Sequence, residues 1–311
     1  MRILMMGTPD FAIPTLDALV NSNHEVVGVI SQQDKPKGRG HHLVPTPLKE
    51  AALSYGLPVY QPKTLKDEAF MELLTKLAPD LIVVVAYGKI LPKSVLDFPR
   101  YGCVNVHASL LPKYRGAGPI QWSIINGETE TGITTMQMGE GLDTGDILLQ
   151  ERVPITDDLT ADVLFDTLAT LGGKLLIETV KGLENGAIIP KPQQESEATY
   201  APMLDKATGY VDFSISAHQV LRLIRGVTPW PSALVLYEDK RMKILDAKVV
   251  SETSPKAPGT ILSVSREGIL VACGKDCLLL TEIQMEGSKR MPVSEYLLGH
   301  TIEQTRLKTI L

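Results

Sequence analysis

Six consecutive apolar residues, Leu81-Ile82-Val83-Val84-Val85-Ala86, leave this chain few folds to choose from. Side chains alternate between faces along a strand, so a strand that is apolar at every position is buried on both. The run is mostly β-branched, which favours extended backbone over helix. Such a strand belongs in the middle of a parallel sheet with helices above and below it. The flanking pattern agrees. Strands are predicted at Ile3–Met6, Val26–Ile30, Val104–His107 and Ile133–Met138, and helices at Ile13–Asn21, Pro47–Tyr55, Leu65–Leu77 and Gly118–Ile125. Alternating strands and helices imply βαβ units and a doubly wound, mostly parallel α/β sheet, whose ligands bind beyond the carboxyl ends of the strands.

The texture changes after a long helical pattern at Thr160–Lys181. The stretch from Pro190 to Thr199 is polar and proline-bearing, which is linker composition. Beyond it one helix, Ala217–Arg225, precedes short β-type runs at Ala233–Tyr237, Met242–Val250, Gly259–Val264, Ile269–Ala272 and Cys277–Ile283. Short strands separated by turns suggest a small antiparallel β-barrel. The expected division is therefore a first domain over 1–189, a linker over 190–206 and a second domain over 207–311.

Composition narrows the function classes. The chain has 311 residues and a net charge of −5, which argues against a bulk polyanion binder but leaves room for a local basic patch. Charge is uneven: residues 207–311 carry 13 Lys+Arg against 11 Asp+Glu, and the remainder carries 18 against 25. The three cysteines, Cys103, Cys273 and Cys277, form no C-x-x-C pair, which argues against a disulfide framework or a zinc site and suits a reducing compartment. The apolar start, Met1 to Met6, is too short for a secretory leader, and no stretch is long enough to span a membrane. A soluble, cytoplasmic protein is expected.

Chemistry concentrates in two places. In Asn105-Val106-His107-Ala108-Ser109-Leu110-Leu111-Pro112, period-2 alternation points Asn105, His107 and Ser109 to one face of a strand exit. Some thirty residues on, Gly141-Leu142-Asp143-Thr144-Gly145-Asp146 offers a carboxylate on a turn. An amide, an imidazole and a carboxylate are what acyl transfer to an amine requires: an oxyanion donor, a proton handler and a group that orients it. The competing reading is a buried hydrogen-bonded cluster. A hydrolase built on Ser109 is disfavoured, because Ser109 is two residues from His107 and the chain has no G-x-S-x-G elbow. Gly7-Thr8-Pro9-Asp10 follows the first strand but lacks the G-x-G-x-x-G fingerprint, so no nicotinamide cofactor is expected. The basic stretch Asp34-Lys35-Pro36-Lys37-Gly38-Arg39-Gly40-His41-His42 reads either as a solvated loop or as a contact for an anionic partner. No acidic residue stands near its histidines at ligand spacing, and no metal is expected.

These motifs carry a resemblance. Met6-Gly7-Thr8-Pro9-Asp10-Phe11, Gly38-Arg39-Gly40, the Asn105–Pro112 segment, Tyr114-Arg115-Gly116-Ala117, Pro119-Ile120, Asn126-Gly127-Glu128-Thr129-Glu130-Thr131-Gly132 and Gly141–Asp146 together resemble the methionyl-tRNA formyltransferase family, in order along the chain. The Asn-x-His-x-Ser-Leu-Leu-Pro element is shared by folate-dependent formyltransferases generally. The basic loop and the barrel-like second domain favour the tRNA-directed branch.

The resemblance implies a Rossmann-like formyltransferase domain followed by an OB-like domain. It implies transfer of a formyl group from 10-formyltetrahydrofolate to the α-amino group of methionine on initiator tRNA, for translation initiation. Asn105, His107 and Asp143 are then catalytic, with Asp143 fixing the imidazole tautomer. Tyr87, Gly88, Ile90, Ser109, Leu110, Leu111 and Pro112 are expected to hold folate, largely through backbone. Lys35, Lys37 and Arg39, with the second domain, are expected to hold tRNA. No metal and no membrane are involved, and a monomer is expected. The alternative is a related folate-dependent formyltransferase or hydrolase acting on an amino sugar, a nucleotide precursor or water.

Overall fold

The structure, a computed structural model, describes residues 1–37 and 42–310; of Lys37 and His42 only the backbone is described. Gly38, Arg39, Gly40 and His41, in the expected basic loop, lie outside the described residues. In chain order the elements begin with β1 (Arg2–Gly7), α1 (Ile13–Val20), β2 (Glu25–Ile30), β3 (Lys35–Lys37), β4 (His42–Val44), α2 (Pro47–Ser54), β5 (Val59–Tyr60) and α3 (Glu68–Leu77). They continue through β6 (Leu81–Val85), α4 (Lys93–Leu96), β7 (Cys103–His107), β8 (Arg115–Gly116), α5 (Pro119–Ile125), β9 (Glu130–Gln137), β10 (Ile147–Pro154) and α6 (Ala161–Glu184). Then follow β11 (Tyr200–Ala201), α7 (Ala217–Gly226), β12 (Ala233–Tyr237), β13 (Lys240–Val250), β14 (Ile261–Ser265), β15 (Gly268–Ala272), β16 (Cys277–Met285), β17 (Met291–Pro292) and α8 (Val293–Tyr296).

The apolar run forms β6, buried at all five positions, at the centre of a seven-stranded sheet ordered β10-β9-β7-β6-β1-β2-β5. Pairing is parallel from β7 to β5, and β9 and β10 run antiparallel. One face packs on α3 and α4 through Phe70, Leu74, Val95 and Leu96 with Cys103. On the other face α6 lies so close that a side-chain carbon at Gly172 would come within 2.9 Å of Val106, and one at Gly173 within 2.6 Å of the Pro14 carbonyl on α1. Helix starts are capped as their sequences suggest. Thr46 accepts from Lys49 N–H ahead of α2, and Asp67 accepts from Phe70 N–H ahead of α3. The chain winds from β1 outward to β5 and then returns to place β6 on the other side of β1. The β1/β6 junction is therefore the topological switch, where open α/β sheets form their ligand crevice. There Thr8 Oγ1 donates to the Tyr87 carbonyl at 3.1 Å.

The basic stretch is partly ordered as strand: β3 and β4 pair antiparallel, Lys35 opposite Val44 and Lys37 opposite His42. Charge, proline and glycine hid these arms from pattern reading. β10 was missed for a related reason, since Gln150-Glu151-Arg152 put polar groups on an exposed sheet edge.

Contacts divide the chain into two compact units. One comprises Met1–Pro119, Glu130–Pro154 and Phe165–Ala201; the other comprises Ile120–Thr129, Ile155–Leu164 and Pro202–Leu311. The stretch expected as a linker is mostly exposed but tethered at several points. Lys191 bridges Ile147, and β11 pairs with β8. The physical reason is that polar residues are as well satisfied by exposed backbone as by water, so linker composition does not require a free chain.

In the second unit five antiparallel strands run β12-β13-β16-β15-β14, with β17 beside β16. The C-terminal segment ties the two edges together: Lys308 pairs with Leu236 on β12, and Ile261 N–H of β14 donates to the Thr305 carbonyl. This covers strand edges that would otherwise offer unpaired backbone. Helix α7 opens with a reciprocal Ser216–Gln219 capping box and buries Val220, Leu221 and Ile224 in this core. Among the described residues no helix is long and apolar enough to cross a membrane.

All three thiols are buried. Burial pushes Cys103 and Cys273 up to about 12, with Asp97 adding to the first and Cys277 and Asp276 to the second, and it raises Cys277 as well. Thiolate is the reactive form. Native protein at pH 7 to 8 should therefore resist a thiol-specific chromogenic reagent, with all three cysteines titrating only in denaturant. A fast-reacting thiol in the native protein would contradict this packing.

Candidate active site

Strand β7 carries Asn105 and His107 on one face, two residues apart, at the end of the sheet where ligands bind. His107 is 6% exposed, yet its ring is not sealed into a structural network. Nε2 lies 3.0 Å from the Tyr114 carbonyl. A carbonyl oxygen can only accept, so Nε2 carries the proton and the neutral ring presents a lone pair at Nδ1. That lone pair faces Asp143 Oδ2 at 3.7 Å, beyond hydrogen-bond range. The tautomer is thus set by Tyr114, and the expectation that Asp143 sets it is corrected. Among the described residues the half-buried Asn105 side chain makes no hydrogen bond within the protein.

The backbone that frames His107 is unusual. Tyr114 has φ of 61° and Asp143 has φ of 51°, both in the left-handed region. For residues other than glycine this costs on the order of 1–3 kcal/mol each. A single neutral hydrogen bond contributes only about 0.5–1.5 kcal/mol net, so several must act together to hold both. Asp143 Oδ2 accepts from Gly116 N–H at 2.8 Å, and Tyr114 N–H donates to Thr199 Oγ1 at 2.9 Å. Gly145, which closes the Asp143 turn, lies so near β9 that a side-chain carbon there would sit 1.7 Å from the Gln137 carbonyl.

The expected folate residues divide into two groups. Ser109 is fully buried, and its hydroxyl donates to the Lys113 carbonyl at 2.7 Å. Thr134 Oγ1 donates to the Ser109 carbonyl at 2.6 Å and accepts from Leu111 N–H at 3.1 Å. The Leu111 carbonyl accepts from Gln150 Nε2 at 2.9 Å and the Pro112 carbonyl from Thr199 N–H at 3.3 Å. The Ser109 hydroxyl and the carbonyls of Ser109, Leu111 and Pro112 are thus engaged internally, and with half-buried Leu110 the segment forms a firm wall. The loop after β6 differs. The N–H groups of Gly88 and Ile90 take no partner among the described residues, and the Ile90 side chain is 85% exposed. Tyr87 is 1% exposed and its hydroxyl has no hydrogen-bond partner, so burial pushes the phenol up to about 12. The Tyr87 carbonyl is held by Thr8 and by Gln32 Nε2 at 2.8 Å.

Of the expected tRNA residues, Lys35 is exposed on β3, Lys37 is described in its backbone alone, and Arg39 lies outside the described residues. Thr134 and the Tyr114 carbonyl were not singled out from sequence. Thr134 stands in an ordinary β-pattern, and a carbonyl has no sequence signature.

An amide donor, an imidazole and a carboxylate at the carboxyl edge of a doubly wound sheet have the chemistry that acyl transfer to an amine needs. Comparison with known proteins makes this specific. Residues 1–180 match the formyl transferase family, and residues 203–301 match the formyl transferase C-terminal domain. The chain belongs to the formyl transferase family. It is 52% identical over 304 residues to the methionyl-tRNA formyltransferase of Alkaliphilus oremlandii, covering 98% of each chain. It is 50% identical over 303 residues to that of Clostridioides difficile, covering 97% of this chain and 98% of the relative. Among solved structures, the methionyl-tRNA formyltransferase from Clostridium thermocellum aligns at a TM-score of 0.56 with 16% identity, over 92% of this chain and 98% of that one. HypX from Aquifex aeolicus in complex with tetrahydrofolic acid aligns at 0.66 with 19% identity, over 100% of this chain and 51% of that one. At these identities the two structures speak to the fold alone.

The tautomer is directly measurable. In protein labelled with ¹⁵N-histidine and held where the ring is neutral, His107 should show a protonated Nε2 and a bare Nδ1. The opposite pattern would refute the Tyr114 contact.

Proposed function

We propose that this protein transfers the formyl group of 10-formyltetrahydrofolate to the α-amino group of methionine esterified to initiator tRNA. The single observation that carries the reading is the bare Nδ1 of His107 facing the Asp143 carboxylate beside the unpaired amide of Asn105. The identity of about one half to methionyl-tRNA formyltransferases over nearly the whole chain supports the choice of substrate.

The chemistry follows from these groups. A free α-amino group has a reference pKa of roughly 7.7–8.0, and the ester link to tRNA lowers it, so a substantial share of the amine is unprotonated and nucleophilic near neutrality. It attacks the formyl carbon and forms a tetrahedral oxyanion. Asn105 donates its side-chain N–H to that oxygen. His107 Nδ1 takes the proton released by the amine, becoming an imidazolium held between the Tyr114 carbonyl and Asp143. It returns the proton to the departing folate nitrogen as the carbon–nitrogen bond of the donor breaks. The products are tetrahydrofolate and formylmethionyl-tRNA, with no covalent enzyme intermediate.

The folate is held by the loop from Tyr87 to Ile90, whose free backbone N–H groups suit the polar edge of a pterin, against the wall formed by Ser109, Leu110, Leu111 and Pro112. Lys35, Lys37 and Arg39 bind the acceptor end of the tRNA, where the planar fork of Arg39 can grip phosphate or stack on an unpaired base. Residues 207–311 add a further tRNA-binding surface.

The deciding assay is formyl transfer to charged initiator tRNA, with elongator methionyl-tRNA and an amino sugar as comparison acceptors. Rapid transfer to the amino sugar, with none to tRNA, would sink the proposal. Within that assay Asn105→Ala should lower turnover about 10²–10³-fold, as loss of one oxyanion donor does, while tRNA affinity stays near wild type. Arg39→Ala should weaken tRNA binding and reduce the slope of log affinity against log salt by about one. An unchanged salt slope would return the basic stretch to solvated surface.

A further inference from the structure

The Asp143 turn carries the carboxylate that meets His107, yet little apolar burial holds the turn in place. Leu142 at its tip is 62% exposed, and Gly141 and Thr144 are exposed as well. Its position therefore rests on hydrogen bonds, and two of them come from one side chain. Gln193 Nε2 donates to the Asp143 carbonyl at 2.8 Å and to the Gly145 carbonyl at 2.7 Å. Gln193 Oε1 in turn accepts from Arg115 Nε at 3.1 Å and Nη2 at 3.0 Å. Arg115 is 1% exposed, and its Nη1 pairs with Glu195 Oε2 at 2.8 Å.

The network leaves no freedom in how the amide is oriented. A guanidinium can only donate and a carbonyl can only accept, so the group between them must offer a lone pair on one side and two protons on the other. A primary amide does this. A carboxylate lacks the protons, and an ammonium lacks the lone pair. The same guanidinium belongs to the residue that follows Tyr114, whose carbonyl sets the His107 tautomer. One side chain thus links the two backbone segments that flank the imidazole.

We propose that Gln193 is a positioning residue: held by Arg115, it fixes the Asp143 turn so that the carboxylate stands opposite His107 Nδ1. This rests on the formyl-transfer reading for its kinetic effect, but not for its structural one. Gln193 touches no reacting atom and acts through Asp143.

Two substitutions test it. Gln193→Glu keeps an acceptor for Arg115 but has no N–H for the two carbonyls, and Gln193→Ala removes both contacts without adding charge. Misplacement of a catalytic group by about 1 Å can cost about 100-fold. Each variant should therefore lose roughly 10- to 100-fold in kcat, with KM for the formyl donor and for tRNA within about twofold of wild type. In an Asp143→Asn background the same substitutions should cost less than about threefold, because residues acting as a unit are not additive. A full penalty in that background would make Gln193 a general structural support and overturn the proposal, as would a wild-type kcat in both single variants.

A readout free of turnover separates this from the function itself. The His107 ring ¹⁵N signals should shift in Gln193→Ala in the same direction as in Asp143→Asn. Signals unmoved in a folded Gln193→Ala protein would overturn the positioning role, whatever the acceptor proves to be. Formyl transfer absent from wild type, with the shifts as expected, would instead overturn the proposed function.

Discussion

Everything at this site follows from placing an imidazole at the end of a strand that is buried within the sheet. β7 lies beside β6, buried at every position, and Val104 and Val106 hold its other face against the core. A buried ring nitrogen without a partner is costly, by about 1–3 kcal/mol. The Tyr114 carbonyl satisfies Nε2, and this decides the chemistry available to the opposite edge of the ring. Had that carbonyl been elsewhere, Nδ1–H could have pointed at Asp143 as a resting hydrogen bond, and the ring would offer a lone pair to nothing on that side.

The electrostatic arrangement is correspondingly unfinished in the resting protein. Asp143 Oδ2 is already committed to Gly116 N–H, and it faces a second acceptor at 3.7 Å. Such a pair gains most when a proton arrives between its members. In the proposed transfer that is the step in which the attacking amine sheds its proton, which makes the arrangement complementary to a charge that develops during reaction rather than to one present beforehand.

The fold supports this with polar straps rather than with core. Residues 191–201 run beside the site and bond to backbone on either side of it: Lys191 to Ile147, Thr199 to Pro112, Tyr114 and Arg115, and Ala201 to Ala117 and Gly118. Gly116 itself could not carry a side chain, since a carbon there would lie 2.6 Å from the Ala201 carbonyl. Hydrogen bonds set angle and distance more narrowly than apolar packing does, which suits a site whose two halves must meet within a few tenths of an ångström.

The sequence by itself determined the class of sheet and brought Asn105, His107 and Asp143 forward as the candidate trio. Each of these is written in short-range pattern: a strand apolar on both faces, a period of two that aligns Asn105 with His107, a glycine-bounded turn bearing Asp143. Tertiary structure alone decided the tautomer of His107, the engagement of Ser109 away from the site and the role of the polar stretch after Pro190. These depend on contacts between residues far apart in the chain, 50 positions for Gln193 with Asp143 and 85 for Thr199 with Tyr114. The partners at both ends are often backbone carbonyls, which every residue possesses. A polar segment that will bind backbone therefore reads the same as one that will bind water, and only the folded chain distinguishes them.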